Sequence, residues 1–193
     1  MEACEGWSCF GFVEKSEVMG TTHAAFALLC YYVIACFVGL PFGVPMVLIL
    51  LILGSLLPDI DHPRGFLAKQ SYLFRQTSRG ISKFIRHRGI VHSLLAALIA
   101  TAIVWVIAIF YRWETLAVAC FFLGFMSHLA ADSLNPTGIK WLQPFSKAKV
   151  KDGMRTGSII EKILFLLILI AISVIVHMVH PELLSIFSEQ SSP

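Results

Sequence analysis

Residues 116–134 read LAVACFFLGFMSHLAADSL. The stretch is apolar for most of its length, yet it holds a histidine and an aspartate four residues apart. That spacing places His128 and Asp132 on one face of a helix, with Cβ atoms about 5–6 Å apart. The length comes close to the roughly 20 apolar residues that a membrane-spanning helix needs. Ionisable groups in such a helix cost roughly 2.5–3.5 kcal/mol at its centre and less near the interface. The stretch therefore reads as a membrane helix whose polar pair requires compensation. A shared cation supplies it; a His–Asp hydrogen bond bracing a bundle is the alternative.

Working outward, four more apolar segments appear: Thr22–Val38, Pro45–Leu57, Ile90–Tyr111 and Ile159–Val179. The last two are long enough to span. The second has only 13 residues, about 20 Å of helix. A Gly/Pro-rich turn from Gly39 to Pro45 joins the first two, and Pro45 suits the first position of a helix. This pair is expected to form either a full hairpin or a shallow re-entrant one. The fold class expected is an all-α integral membrane bundle of about five transmembrane helices. The whole chain agrees: 57% of its 193 residues are hydrophobic and 14% are charged, against about 25% charged in soluble domains.

Charge sets the expected orientation. The segment from Pro58 to Gly89 carries Arg64, Lys69, Arg75, Arg79, Lys83, Arg86 and Arg88; that from Asn135 to Ser158 carries Lys140, Lys147, Lys149, Lys151 and Arg155. Twelve of the fifteen Lys and Arg thus lie on one side. The positive-inside rule makes that side cytoplasmic, with the N-terminus inside and the C-terminus outside. Within the first of these segments, Phe66–Arg86 mixes apolar and basic residues and reads as an amphipathic helix on anionic lipid. Residues 1–18 read as an acidic tail, 19–180 as one transmembrane metal-site domain, and 181–193 as a second tail. Met19 is an alternative start. Five cysteines without a C-x-x-C pair argue against a thiolate zinc site.

On this topology the remaining ionisable groups fall at one membrane face. His23 opens the first span. Asp59, Asp61 and His62 follow the second, in Leu57-Pro58-Asp59-Ile60-Asp61-His62-Pro63. His87, Arg88 and His92 lead into the third, His128 and Asp132 close the fourth, and Glu161 opens the fifth. The orientation came from Lys and Arg alone, so this convergence is independent of it. His23, Asp59, His92, His128 and Asp132 are the candidate metal ligands. Asp61 and Glu161 are candidate proton acceptors. His87 and Arg88, at the rim, could neutralise a substrate's phosphate or carboxylate. His62 reads as a turn residue. His177 and His180 fall on the far side and read as surface residues.

These motifs resemble those of the YdjM-like family, described as LexA-regulated, membrane-bound, metal-dependent hydrolases. The resemblance rests on residues 57–63, on His87-Arg88-Gly89 with His92-Ser93, on Ser127-His128 with Asp132 and Pro136-Thr137-Gly138, and on Gly157-Ser158 with Glu161. It runs from Met19 to about Val179 and implies an inner-membrane metal-dependent hydrolase. The order His23, Asp59, His92, His128, Asp132 also looks like the opening of the zinc-dependent phospholipase C and nuclease pattern. The later His-rich half of that pattern is missing, which argues against further metals.

The expected function is hydrolysis of a phosphoester-type or lipid-associated bond at the cytoplasmic face. His92, His128, Asp132 and Asp59 would hold a divalent ion. Mixed imidazole and carboxylate ligands favour Zn²⁺, or else Mn²⁺, over Ca²⁺. The expected partners are membrane lipids and a small or lipid-like substrate. Nucleic acid is not supported, because topology already accounts for the basic segments. A non-catalytic scaffold stabilised by metal and a metal or proton transporter are the alternatives. Transporter sites usually lie near the midplane, between repeats, and no repeat is evident here.

Overall fold

A computed structural model describes residues 7–61, 90–135, 138–146, 148–150 and 158–179, with side chains from residue 20 to 59 in the first stretch. Its helices are α1 (Trp7–Val38), α2 (Pro45–Leu56), α3 (Leu94–Tyr111), α4 (Thr115–Ser133) and α5 (Ile159–Val179). Short 3-10 turns cover Leu57–Asp61 and Ile90–His92. Among the described residues there is no strand, only an isolated antiparallel bridge between Ile139 and Val150. The segment Phe66–Arg86, with His62, His87 and Arg88, lies outside the described residues.

Four helical segments are long and apolar enough to cross a membrane: Gly20–Val38, Leu94–Tyr111, Thr115–Ser133 and Ile159–Val179. The bundle is the expected one, with α2 as its short member. At 12 residues, α2 is about 18 Å long, well under a hydrocarbon core of about 30 Å. Pro45 begins it, as expected. The turn before it is closed by Gly39 at φ 75°, whose amide donates to the Ala35 carbonyl. The Tyr31 hydroxyl donates to the Pro41 carbonyl and pins the turn against α1.

Two boundaries differ from expectation. Helix α1 begins at Trp7, so helical backbone extends into the segment set apart as a tail. The third helix begins at Leu94, not Ile90. Ser93 is the reason: its backbone is extended, and its hydroxyl accepts from the Ala96 amide at 3.2 Å while donating to the Ile90 carbonyl at 2.6 Å. A serine N-cap of this kind stops helix from running back through it. His92 therefore sits in a turn before the helix.

The core centres on α4, which packs most extensively against α2 and also meets α1 and α3. Phe121, Phe125 and Leu129 of α4 are buried with Val47, Leu50 and Leu51 of α2 and with Ala27, Tyr31 and Ala35 of α1. Gly54 and Gly124 allow the closest approach. A Cβ at Gly54 would lie 2.1 Å from the Phe121 carbonyl oxygen, and one at Gly124 2.0 Å from that of Leu51. Only a residue without Cβ lets these backbones touch. Small residues at a crossing are how helices associate in lipid, where hydrophobic burial gives no drive.

After α4, Gly138 turns the chain at φ 59° and buries Ile139. The Trp141 indole N–H donates to the Ser133 hydroxyl at 2.8 Å, and its carbonyl accepts from the Leu94 amide at 2.8 Å. This segment ties the end of α4 to the start of α3.

Candidate metal centre

The Gly54–Gly124 crossing has a chemical consequence one residue and one turn further on. The Ser55 carbonyl, on α2, lies 2.6 Å from Nδ1 of His128 on α4. A carbonyl only accepts, so Nδ1 carries the proton and Nε2 is left with its lone pair. Metal-binding histidines are commonly set up this way, with the distal N–H held by a carbonyl. The His128 Nε2 atom is fully buried and has no hydrogen-bond partner.

Two carboxylates face that nitrogen. Asp132 Oδ2, one helical turn on, and Asp59 Oδ1, from the turn after α2, each lie 3.8 Å away. His92 brings Nε2 to 3.5 Å from Asp132 Oδ2 and 3.8 Å from Asp59 Oδ1. From α1, His23 stacks on the His128 ring, centroids 4.1 Å apart, with its Nε2 3.7 Å from Asp132 Oδ1. The donor atoms form two overlapping groups, His23–His128–Asp132 and Asp59–His92–His128, each with all its atoms within 4.8 Å of one another. His128 belongs to both.

The residues suit a divalent ion. Ligands about 2.1 Å from a tetrahedral ion lie roughly 3.4 Å apart. The His–Asp separations of 3.5–3.8 Å are a few tenths of an ångström longer. They are too long for direct hydrogen bonds, yet close enough to contract around a cation. The buried lone pair of His128 is the strongest sign, because an unmatched polar atom in the interior is costly. His92, His128 and Asp132 are closed off from solvent, while Asp59 remains 16% exposed.

All five candidate ligands thus come together from four parts of the chain. Asp61 lies in the same 3-10 turn as Asp59; its side chain is outside the described residues. Glu161 is buried in the first turn of α5 but is not among the converging donors. Its amide is capped by Ser158 at 3.3 Å.

Two contributors went unnoticed in the sequence. Asn135 Nδ2 donates to Asp132 Oδ1 at 2.9 Å, in the interior, leaving Oδ2 turned toward His92 and His128. The signal for it was a polar residue three positions after the aspartate, past the helix end. Ser55 acts through its carbonyl, and no side-chain pattern reports a backbone atom.

A family model described as YdjM inner membrane protein matches residues 18–188, which include the whole cluster. The chain belongs to the YdjM family. The inner membrane protein YdjM of Escherichia coli (strain K12) is 41% identical to it over 97 residues, 48% of this chain and 46% of that relative. The Shigella flexneri YdjM matches to the same extent. The aligned region spans about half the length of these curated relatives. No solved structure matches the chain. With four apolar helices of spanning length, this YdjM family member is a multi-pass inner-membrane protein.

Proposed function

We propose that this YdjM family member is a metal-dependent hydrolase acting on a phosphoester-type or lipid-associated substrate at the cytoplasmic membrane face. The observation that carries the reading is the lone pair of His128 Nε2, buried without a hydrogen bond between two carboxylates and beside two more imidazoles. His92, His128, Asp59 and Asp132 would hold the ion, Zn²⁺ or Mn²⁺, with His23 against Asp132. Such an ion supplies Lewis acidity for the attack of water on a phosphoester. Asp59, the most open of the candidate ligands whose side chains are described, marks the side from which substrate would approach. Asp61 and Glu161 are the candidate proton acceptors, and His87 and Arg88 would neutralise substrate charge. The basic segments that border the candidate ligands in the sequence support the cytoplasmic orientation.

One observation favours a second reading, a metal-stabilised scaffold without catalysis. The side chains of His92 and His128 are 0% exposed and that of Asp132 2%. Closed metal sites are usually structural, whereas catalytic ones keep a position open. Turnover of phosphodiester and phospholipid substrates by the metal-loaded protein separates the two. The hydrolase reading expects Asp61→Asn or Glu161→Gln to abolish turnover while metal stays bound. Stoichiometric metal with no cleavage of any phosphoester would leave the scaffold.

A further inference from the structure

The end of the bundle away from the metal cluster carries a different feature. Helix α3 stops at Arg112, whose backbone is left-handed at φ 52° and ψ 41°. Its amide donates to the Ala108 and Ile109 carbonyls, and the Trp113 amide donates to Ala108 at 2.9 Å. This is the helix-ending geometry in which glycine is usual, because a Cβ there is strained. The turn alone would be better served by glycine. An arginine in its place suggests that the side chain is needed.

Arg112 is among the residues that line a cavity of about 280 Å³ between α3 and α4. Trp105, Ile109, Trp113 and Val118 give it apolar walls, and Thr115 also lines it. Trp105 and Ile109 belong to the exposed face of α3, the face that a surrounding bilayer would meet. Among the described residues no carboxylate makes a salt bridge with Arg112, neighbouring Glu114 included. One cation beside indole and aliphatic surface, at the ends of two spanning helices, is complementary to an anionic lipid. Such a lipid would set its phosphate on the guanidinium and its acyl chain along Trp105 and Ile109. The apolar walls and the exposure of Trp105 and Ile109 favour this over a free phosphate ion.

We propose that the Arg112–Trp105–Trp113 cavity is a binding site for an anionic phospholipid of the adjacent leaflet. It is independent of the metal cluster and of any reaction there.

The left-handed backbone makes Arg112→Gly an unusually clean test, since glycine suits the position and only the side chain is lost. Protein reconstituted in phosphatidylcholine vesicles would be titrated with brominated phosphatidylglycerol or brominated phosphatidylcholine, reading tryptophan quenching. Wild type should favour phosphatidylglycerol by about fivefold, the weight of one cation near an anionic lipid surface. Arg112→Gly should lose that preference with an unchanged or higher melting temperature, and Arg112→Lys should keep part of it. Added inorganic phosphate should not displace the lipid. Equal quenching by both lipids in wild type, or a preference surviving in Arg112→Gly, would overturn the proposal. So would displacement by phosphate, which would make this a small-anion site, or cross-links between copies through Arg112, which would make it a protein contact.

Discussion

Helices α3 and α4 have 18 and 19 residues, and a three-residue turn joins them. Their surroundings differ sharply: two residues of α3 are buried within the protein, against eleven of α4. Helix α3 is aliphatic around most of its circumference, with Leu98, Ile99, Ile103 and Val106 exposed. Helix α4 carries Gly124, Ser127, His128 and Asp132 among its buried residues. Lipid accepts any aliphatic face, so α3 is free to be uniform. A helix surrounded by other helices instead needs small residues where backbones cross and polar groups where donors and acceptors meet. Apolarity therefore marks which segments face lipid, and departures from it mark the hub.

That contrast orders the expected effects of substitution. The largest belongs to Asp132→Ala, which removes the carboxylate nearest His92 and one of the two that lie equally close to His128. Metal affinity should fall by more than about 100-fold, beyond the 10–100-fold range typical of outer partners, as read by competition with a chelating dye. Next is Gly124→Ala, whose new methyl would meet the Leu51 carbonyl oxygen at 2.0 Å. It should cost about 2 kcal/mol through overpacking, seen as a lower thermal midpoint in detergent. It should also weaken metal binding by moving Ser55 away from His128. Smaller again is Asn135→Ala, which removes the amide's hydrogen bond to Asp132 Oδ1. About a 10-fold loss of metal affinity is expected, with the helical content unchanged by circular dichroism. The smallest effect belongs to Ile103→Ala on α3, within about 0.5 kcal/mol. A cost there as large as that of Gly124→Ala would erase the distinction between the two helices.

Much of this was legible in the sequence, for physical reasons that also mark where legibility ended. Apolar runs long enough to span located α4, α5 and the end of α3 nearly to the residue, because the bilayer imposes length. The four-residue spacing of His128 and Asp132 gave their shared face, because helical periodicity is rigid. Placement of Lys and Arg put Asp59, His92, His128 and Asp132 at one end without any coordinates. The start of α3 was missed because a single side chain, Ser93, decides it by capping. The tautomer of His128 depends on a carbonyl brought near by two glycines 70 positions apart, and sequence spacing carries no trace of such a contact. Gly54 and Gly124 were nevertheless visible as small residues within apolar runs, and a reading attentive to helix crossings in lipid would have paired them.

The most direct test of the proposed cation site is X-ray absorption at the zinc or manganese edge of the purified protein. The expected spectrum shows a stoichiometric ion in a shell of nitrogen and oxygen at about 2.0–2.2 Å, with outer-shell scattering from imidazole that is weakened in His128→Ala. A folded wild type that takes up no stoichiometric ion, or one whose ion is bound through sulfur, would contradict the account.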